Sequence, residues 1–419
     1  MNENYEKILQ LMHREVIPAI GCTEPIAVAL CVCKAKENLG CIPDHIHVTL
    51  SPNIYKNAMS VGIPNTGMHG LPIAVALGAL IGRSEWQLEV LRDTNEDAVS
   101  QAKDYMAKTP IVIDIDQVTK QMLYIHVVVS AAGRTAEATI AGSHTHFVDG
   151  EQVQSSTTMS DSQTEPELTL RQVWDFAENV DLSRLDFLVD AAQLNLNAAE
   201  TSFHSDCGHG LGRLLHDKAS KSLFGDTLYT KILSYTSGAC DARMSGAMVP
   251  VMSNSGSGNQ GISCTVPVVI YGREIGATRE QILRALALSH LTVIYIKQSL
   301  GRLSALCGCV VASIGSSCGI TRLMGGGYEE ATYAVKNMVA NISGMICDGA
   351  KPGCSLKVTS GVSTAVLSAM LAMEHRHSTA IEGIVDEDVD QSIHNLTSLG
   401  KYGMHETDKL ILDIMVNKK

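Results

Sequence analysis

Hydrophobic positions along the chain change period twice. Over residues 5–40 they recur at helical spacing, with a break at Ala19-Ile20-Gly21-Cys22 and a second helix predicted from Thr23-Glu24-Pro25. There Thr23 offers an N-cap and Pro25 suits a first turn. Alternation then takes over. Ile46, Val48 and Leu50 sit two apart, residues 111–115 form a β-branched run, and residues 123–130 and 135–143 flank Ala132-Gly133 as a hairpin would. Residues 71–81 and 95–108 read as helices between these strands. Residues 149–167 lose all apolar periodicity, which predicts a surface linker. Beyond it the period is helical, as at 185–202, 279–300, 329–347 and 360–374, and Thr278 with Gln281 spells a capping box. Residues 266–270 fit either a strand or a helix. The pattern predicts an α+β two-domain fold. A large all-α domain combines N-terminal helices (1–42) with the C-terminal half (168–419); a smaller α+β domain (43–150) is inserted, and a linker (151–167) follows it.

A length of 419 residues allows more than one buried core. Lys plus Arg number 32 against 44 Asp plus Glu, a formal charge of −12 with no basic run. Neither nucleic acid nor an anionic membrane is therefore expected as a partner. Aromatic residues are only 4% of the chain, so its cores must close by tight packing of small side chains. The first residues lack a secretory pattern, and the expected compartment is the cytoplasm. Two long uncharged stretches, 244–272 and 303–321, carry too many Ser, Thr, Gly and Pro for membrane spans and read as protein interior. Twelve cysteines in a reducing compartment turn attention to metal, cluster or catalytic chemistry.

Cys307 stands on a Gly/Ser-rich helix, while Cys347 and Cys354 bracket a segment whose Asp-Gly and Pro-Gly pairs favour turns. Converging thiolates suit an iron–sulfur cluster, and three small buried hydrophobes are the alternative. Cys22 precedes a helix start, where the positive end of the helix lowers a thiol pKa; it reads as a thiolate or as a buried thiol. The run SNSGSGNQG at 253–261 can form a backbone nest for a carboxylate ahead of a helix, or a simple turn. Asn53, Lys56 and Asn57 follow the first strand, and His144 and His146 share a face if their segment is a strand. The other cysteines, Cys240 and Cys309 among them, show no ligand spacing.

Six ordered motifs, GCTEP at 21–25, SPN at 51–53, DARM at 241–244, SNSGSGNQG at 253–261, LSALC at 303–307 and GMICDGA at 344–350, together resemble the L-cysteine desulfidase family. That family is related to the α-subunit of iron–sulfur L-serine dehydratases, and the resemblance runs from about residue 15 to the C-terminus. It implies that Cys307, Cys347 and Cys354 hold an oxygen-labile 4Fe–4S cluster, with Cys22 acting at the open iron as ligand or base. It further implies β-elimination of L-cysteine to pyruvate, ammonia and sulfide by a homodimer. Ser255, Ser257, Asn259 and Gln260 would grip the substrate carboxylate, with Asn53, Lys56, His144 and Thr145 as a polar wall. The alternatives are an L-serine dehydratase, a non-catalytic amino-acid binder and a zinc-stabilised protein. Steps of 40 and 7 residues between the three cysteines, and a tail without cysteine, favour the desulfidase.

Overall fold

The computed structural model of the chain describes residues 3–116, 121–148, 165–217, 222–301 and 303–418. The expected linker at 151–167 falls outside them, apart from its last three residues. The chain opens with α1 (Glu3–Glu15), β1 (Pro18–Ile20) and α2 (Thr23–Leu39). Then come β2 (His45–Leu50), α3 (Pro52–Ala58), α4 (Leu71–Leu80), α5 (Glu96–Lys108), β3 (Ile111–Ile115), β4 (Tyr124–Ala131) and β5 (Arg134–Ala141). From residue 170 the main elements are α6 (Leu170–Asn179), α7 (Phe187–His204), α8 (Leu211–His216), α9 (Leu228–Met244), β6 (Pro250–Met252), α10 (Gly258–Glu274) and α11 (Arg279–Leu300). The chain ends through α12 (Gly308–Leu323), α13 (Tyr328–Ile342), α14 (Cys354–Met373), α15 (Val389–Ser398) and α16 (His405–Val416). This is a mixed α+β, mainly helical protein, and residues 266–270 lie inside α10.

Strand order in the larger sheet is β3-β2-β4-β5, with β2 and β3 parallel and the other pairs antiparallel. The β4–β5 hairpin turns through Ala132 (φ 50°) and Gly133 (φ 75°), the left-handed pair a two-residue turn requires. Alternate residues Ile46, Val48, Leu50, Ile125, Val127 and Val129 are buried and form a core with α2 and α4. A second, larger core is built by α1 and the helices after residue 165. The low aromatic content shows in the packing: a Cβ on Gly78 of α4 would lie 2.5 Å from the Ala29 carbonyl oxygen of α2, and one on Gly315 of α12 would lie 2.4 Å from that of Ser289 in α11.

One boundary is corrected. Residues 1–42 were expected to pack together with the C-terminal helices, but only α1 buries its apolar face there. Helix α2 is buried almost all round, and its Ile26, Leu30 and Val32 join the sheet's core instead. The antiparallel pair β1–β6, with Ala19 opposite Val251, ties the segment between the two helices to the larger core. Stretches 244–272 and 303–321 fall mostly on buried positions of α9, α10 and α12. Helix α14 is long and apolar enough to cross a membrane by length and composition, yet half of that stretch is buried inside the protein.

Candidate active site

The three cysteines are brought together by backbone pairing. Helix α13 ends at Ile342, earlier than the apolar period suggests, because residues 345–347 extend to pair with the segment before α12. The Cys307 N–H donates to the Met345 carbonyl (3.0 Å), the Cys347 N–H donates to that of Ala305 (2.7 Å), and Leu306 bridges Ile346. A turn containing Gly349 (φ 88°) then returns the chain so that Cys354 opens α14. Cys307, Cys347 and Cys354 all line one cavity of about 110 Å³. A hydrogen bond from the Cys309 thiol is the main reason the Cys307 thiol is lowered to about 7. Burial raises Cys354 to about 11 and also raises Cys347, and the charge of Cys307 adds to both shifts. The three sulfurs thus lie within one another's electrostatic reach.

Among the described residues, no three His, Cys, Asp or Glu side chains stand close enough to hold one metal ion. A cuboidal cluster makes a different demand, since each thiolate takes its own iron and the sulfurs stand farther apart. The donor set therefore suits a cluster better than a mononuclear site.

The opposite wall comes from α2, α3, α9 and α10. Cys22, not Thr23, is the N-cap of α2. Its Sγ lies 3.0 Å from Glu24 Oε2, and Asn57 Nδ2 donates to Glu24 Oε1 at 3.2 Å. Burial, followed by the charge of Glu24, pushes the Cys22 thiol well above its ordinary pKa. Of the two readings left open by the sequence this favours the buried thiol, since desolvation outweighs the helix end and keeps Cys22 protonated. In the 253–261 run, Ser255 (φ 49°) and Gly256 (φ 79°) are both left-handed, and the Ser257 hydroxyl caps α10 by accepting from Gln260 N–H. Arg243, only 3% exposed, donates from Nη1 to Asn259 Oδ1 at 3.1 Å. It fits there because residue 258 is glycine, where a Cβ would lie 2.2 Å from Arg243 Nε. Two buried polar atoms, Arg243 Nε and Gln260 Oε1, have no partner, and both residues line the cavity. Unmet buried hydrogen-bonding capacity of this kind is what a polar ligand satisfies. Helices α2, α10, α12 and α14 all begin at this cavity, so four positive helix ends face it.

Of the residues singled out from sequence, Cys22, His144, Ser255, Ser257, Asn259, Gln260, Cys307, Cys347 and Cys354 line the cavity. Asn53, Lys56 and Thr145 do not. The Lys56 amine, on a side chain 2% exposed, instead pairs with Asp408 of α16 and donates to the Cys347 carbonyl at 3.4 Å. Residues 142–146 form a turn rather than a strand, so the inference that His144 and His146 share a face fails. Asn57, singled out beside Asn53 and Lys56, does line the cavity, whereas sequence reasoning missed Glu24, Arg243, Lys297, Ser304 and Cys309. Glu24 and Arg243 stood inside the recognised motifs, and that placement was the available signal.

A mixed α+β protein whose thiols and helix N-termini converge on one small cavity defines a class, a protein with a thiol-lined anion pocket. The chain belongs to the family described as serine dehydratase alpha chain, whose pattern matches residues 85–413. The resemblance read from the motifs pointed to a relative of that subunit, and the match agrees with it. Similar proteins include a UPF0597 protein of Bacteroides fragilis, 59% identical over the whole of both chains. One from Bacteroides thetaiotaomicron is 60% identical over 99% of this chain and 98% of its own. Another, from Aeromonas hydrophila, is 40% identical over 100% and 98%. The family is generally iron–sulfur dependent, and membership supports a lyase of serine-dehydratase type.

Proposed function

We propose that this chain is an iron–sulfur-dependent lyase that takes L-cysteine and water to pyruvate, ammonia and hydrogen sulfide, acting as a cytoplasmic homodimer. The observation that carries the reading is the meeting of Cys307, Cys347 and Cys354 on one cavity with Cys22 and Glu24 in its opposite wall. When bound there, a 4Fe–4S cluster supplies a Lewis-acidic iron with a position open to the substrate's β-sulfur.

The protein's own groups do the rest. Arg243 Nε and the starts of α10 and α12 bind the substrate carboxylate, and Gln260 Oε1 accepts from its ammonium. Cys22 removes the Cα proton. Because its thiol is neutral, it must first hand its own proton to Glu24 Oε2 across the existing 3.0 Å contact. Asn57 holds that carboxylate in place through its other oxygen. Buried apolar residues such as Leu306 line part of the cavity, which reduces the water around the reacting carbon.

The family match favours a second reading, L-serine dehydration at the same site. An oxygen-free assay of reconstituted protein separates the two by comparing sulfide from L-cysteine with pyruvate from L-serine. A larger kcat/KM for L-cysteine is expected. The reverse order gives the function to serine, and no turnover of either substrate by iron-loaded protein overturns both readings.

A further inference from the structure

A second cleft, of about 280 Å³, lies away from the thiols, between α7, α8, α9 and α10. Residues at helical spacing turn toward it, such as Leu196 and Glu200 of α7, Lys231 and Tyr235 of α9, and Ile270 and Arg273 of α10. Its floor is apolar, with Leu196, Leu215 and Ile270 each under a tenth exposed. The rim carries both signs of charge. Tyr235 donates to Glu200 Oε1 at 2.9 Å, and Lys231 pairs with Glu274 at 2.7 Å. Arg273 makes no side-chain hydrogen bond or ion pair among the described residues. A free guanidinium beside held carboxylates over an apolar floor matches a zwitterion with a hydrocarbon tail.

We infer that this cleft is a binding site for a free α-amino acid with a small apolar side chain, separate from the thiol-lined cavity. The ligand's carboxylate meets Arg273, its ammonium meets the carboxylates of Glu200 and Glu274, and its side chain covers Leu196, Leu215 and Ile270. The volume is below the range of drug-sized pockets and suits one amino acid rather than a nucleotide or peptide.

The cleft also shares two elements with the first cavity. Helix α9 presents Lys231 and Tyr235 to the cleft and Arg243, near its other end, to the cavity; α10 presents Arg273 to the cleft and Asn259 and Gln260 to the cavity. An occupant that shifts either helix along its axis moves residues that face the substrate. The effect on turnover rests on the lyase reading, whereas binding does not.

Isothermal titration of the reconstituted protein with L-valine tests the binding. Saturable binding is expected, weakened about tenfold or more in Arg273→Ala, and retained in Cys22→Ala, whose change lies in the other cavity. Arg273 is exposed, so its replacement leaves the core intact. Absence of saturable binding with L-valine, L-alanine and L-isoleucine overturns the inference. So does binding that Arg273→Ala leaves unchanged or that Cys22→Ala abolishes, since either outcome places the ligand elsewhere.

Discussion

At the scale of single residues the proton of Cys22 matters most. The neighbouring Glu24 both holds the thiol neutral and offers the nearest place for its proton. Cys22→Ser should therefore keep its iron and lose about 10²–10⁴-fold in kcat, the usual worth of a positioned base. Glu24→Gln should fall in the same range, because the amide cannot take the proton; full activity in either variant removes that residue from the proton path. Cys31→Ala and Cys33→Ala, in the sheet's core, should leave sulfide release per folded chain nearly unchanged. A second residue-scale effect concerns His290, buried and held at a pKa of about 3 by desolvation. Its ring bonds Asn254 at 3.1 Å and Thr265 at 2.9 Å, and Asn254 in turn anchors the Ser255 hydroxyl. The folded pKa lies below that of the unfolded chain, near 6.5, so protons favour unfolding as pH falls. Stability is full above pH 6.5 and declines toward pH 3 by up to about 1.4 kcal/mol per unit. Thermal midpoints between pH 7 and 5 should fall less steeply in His290→Asn than in the parent, and parallel slopes would contradict the assignment.

Among the elements, α3 and α16 act as a brace for the cysteine loop. Lys56 reaches from α3 to Asp408 of α16 and to the Cys347 carbonyl, and its own carbonyl oxygen lies 2.2 Å from where a Cβ on Gly349 would stand. Lys56→Met leaves Asp408 without its partner and frees the loop. A loss on the order of 2–3 kcal/mol is expected, below the range for fully buried pairs because Asp408 is partly exposed. Denaturant midpoints and iron retention during gel filtration check it, and Lys56→Arg should recover part of both. Unaltered iron retention would mean the loop holds itself. The brace was illegible in sequence, because its partners lie 352 residues apart and a polar loop after a strand looks solvent-facing. The stop of α13 was hidden for a like reason, being set by pairing with residues 305–307. What could be read was local: the β4–β5 turn carries its own left-handed pair, and the Thr278–Gln281 box caps α11 as spelled. Helix α2 was legible as a helix but not as part of the sheet's core, since a segment buried almost all round until its last turns carries no clear face to say where it packs.

Over the whole molecule, the cavity lies where the two cores meet. Glu24, Asn57 and His144 reach it from the sheet's side, and Arg243, Asn259 and the three cysteines reach it from the helical side. Four helix starts face the same space, so anionic charge is stabilised wherever it falls within it. A rigid trio of thiols and a separate proton-handling wall predict different losses on mutation. On the proposed ligand set each of Cys307→Ala, Cys347→Ala and Cys354→Ala removes one of three anchors, and anaerobic reconstitution should then leave iron far below the about four iron and four sulfide per chain of a complete cluster. Cys22→Ser, on the facing wall, should still fill. Metal analysis of protein purified without oxygen decides between the outcomes. Iron that survives loss of any one of the trio would displace that cysteine from the ligand set, with Cys309, whose free thiol is hydrogen-bonded to Cys307 at the start of α12, as its replacement. Zinc at about one per chain, with no iron, would make the thiols a structural site and leave Cys22 and Glu24 without a reaction to serve.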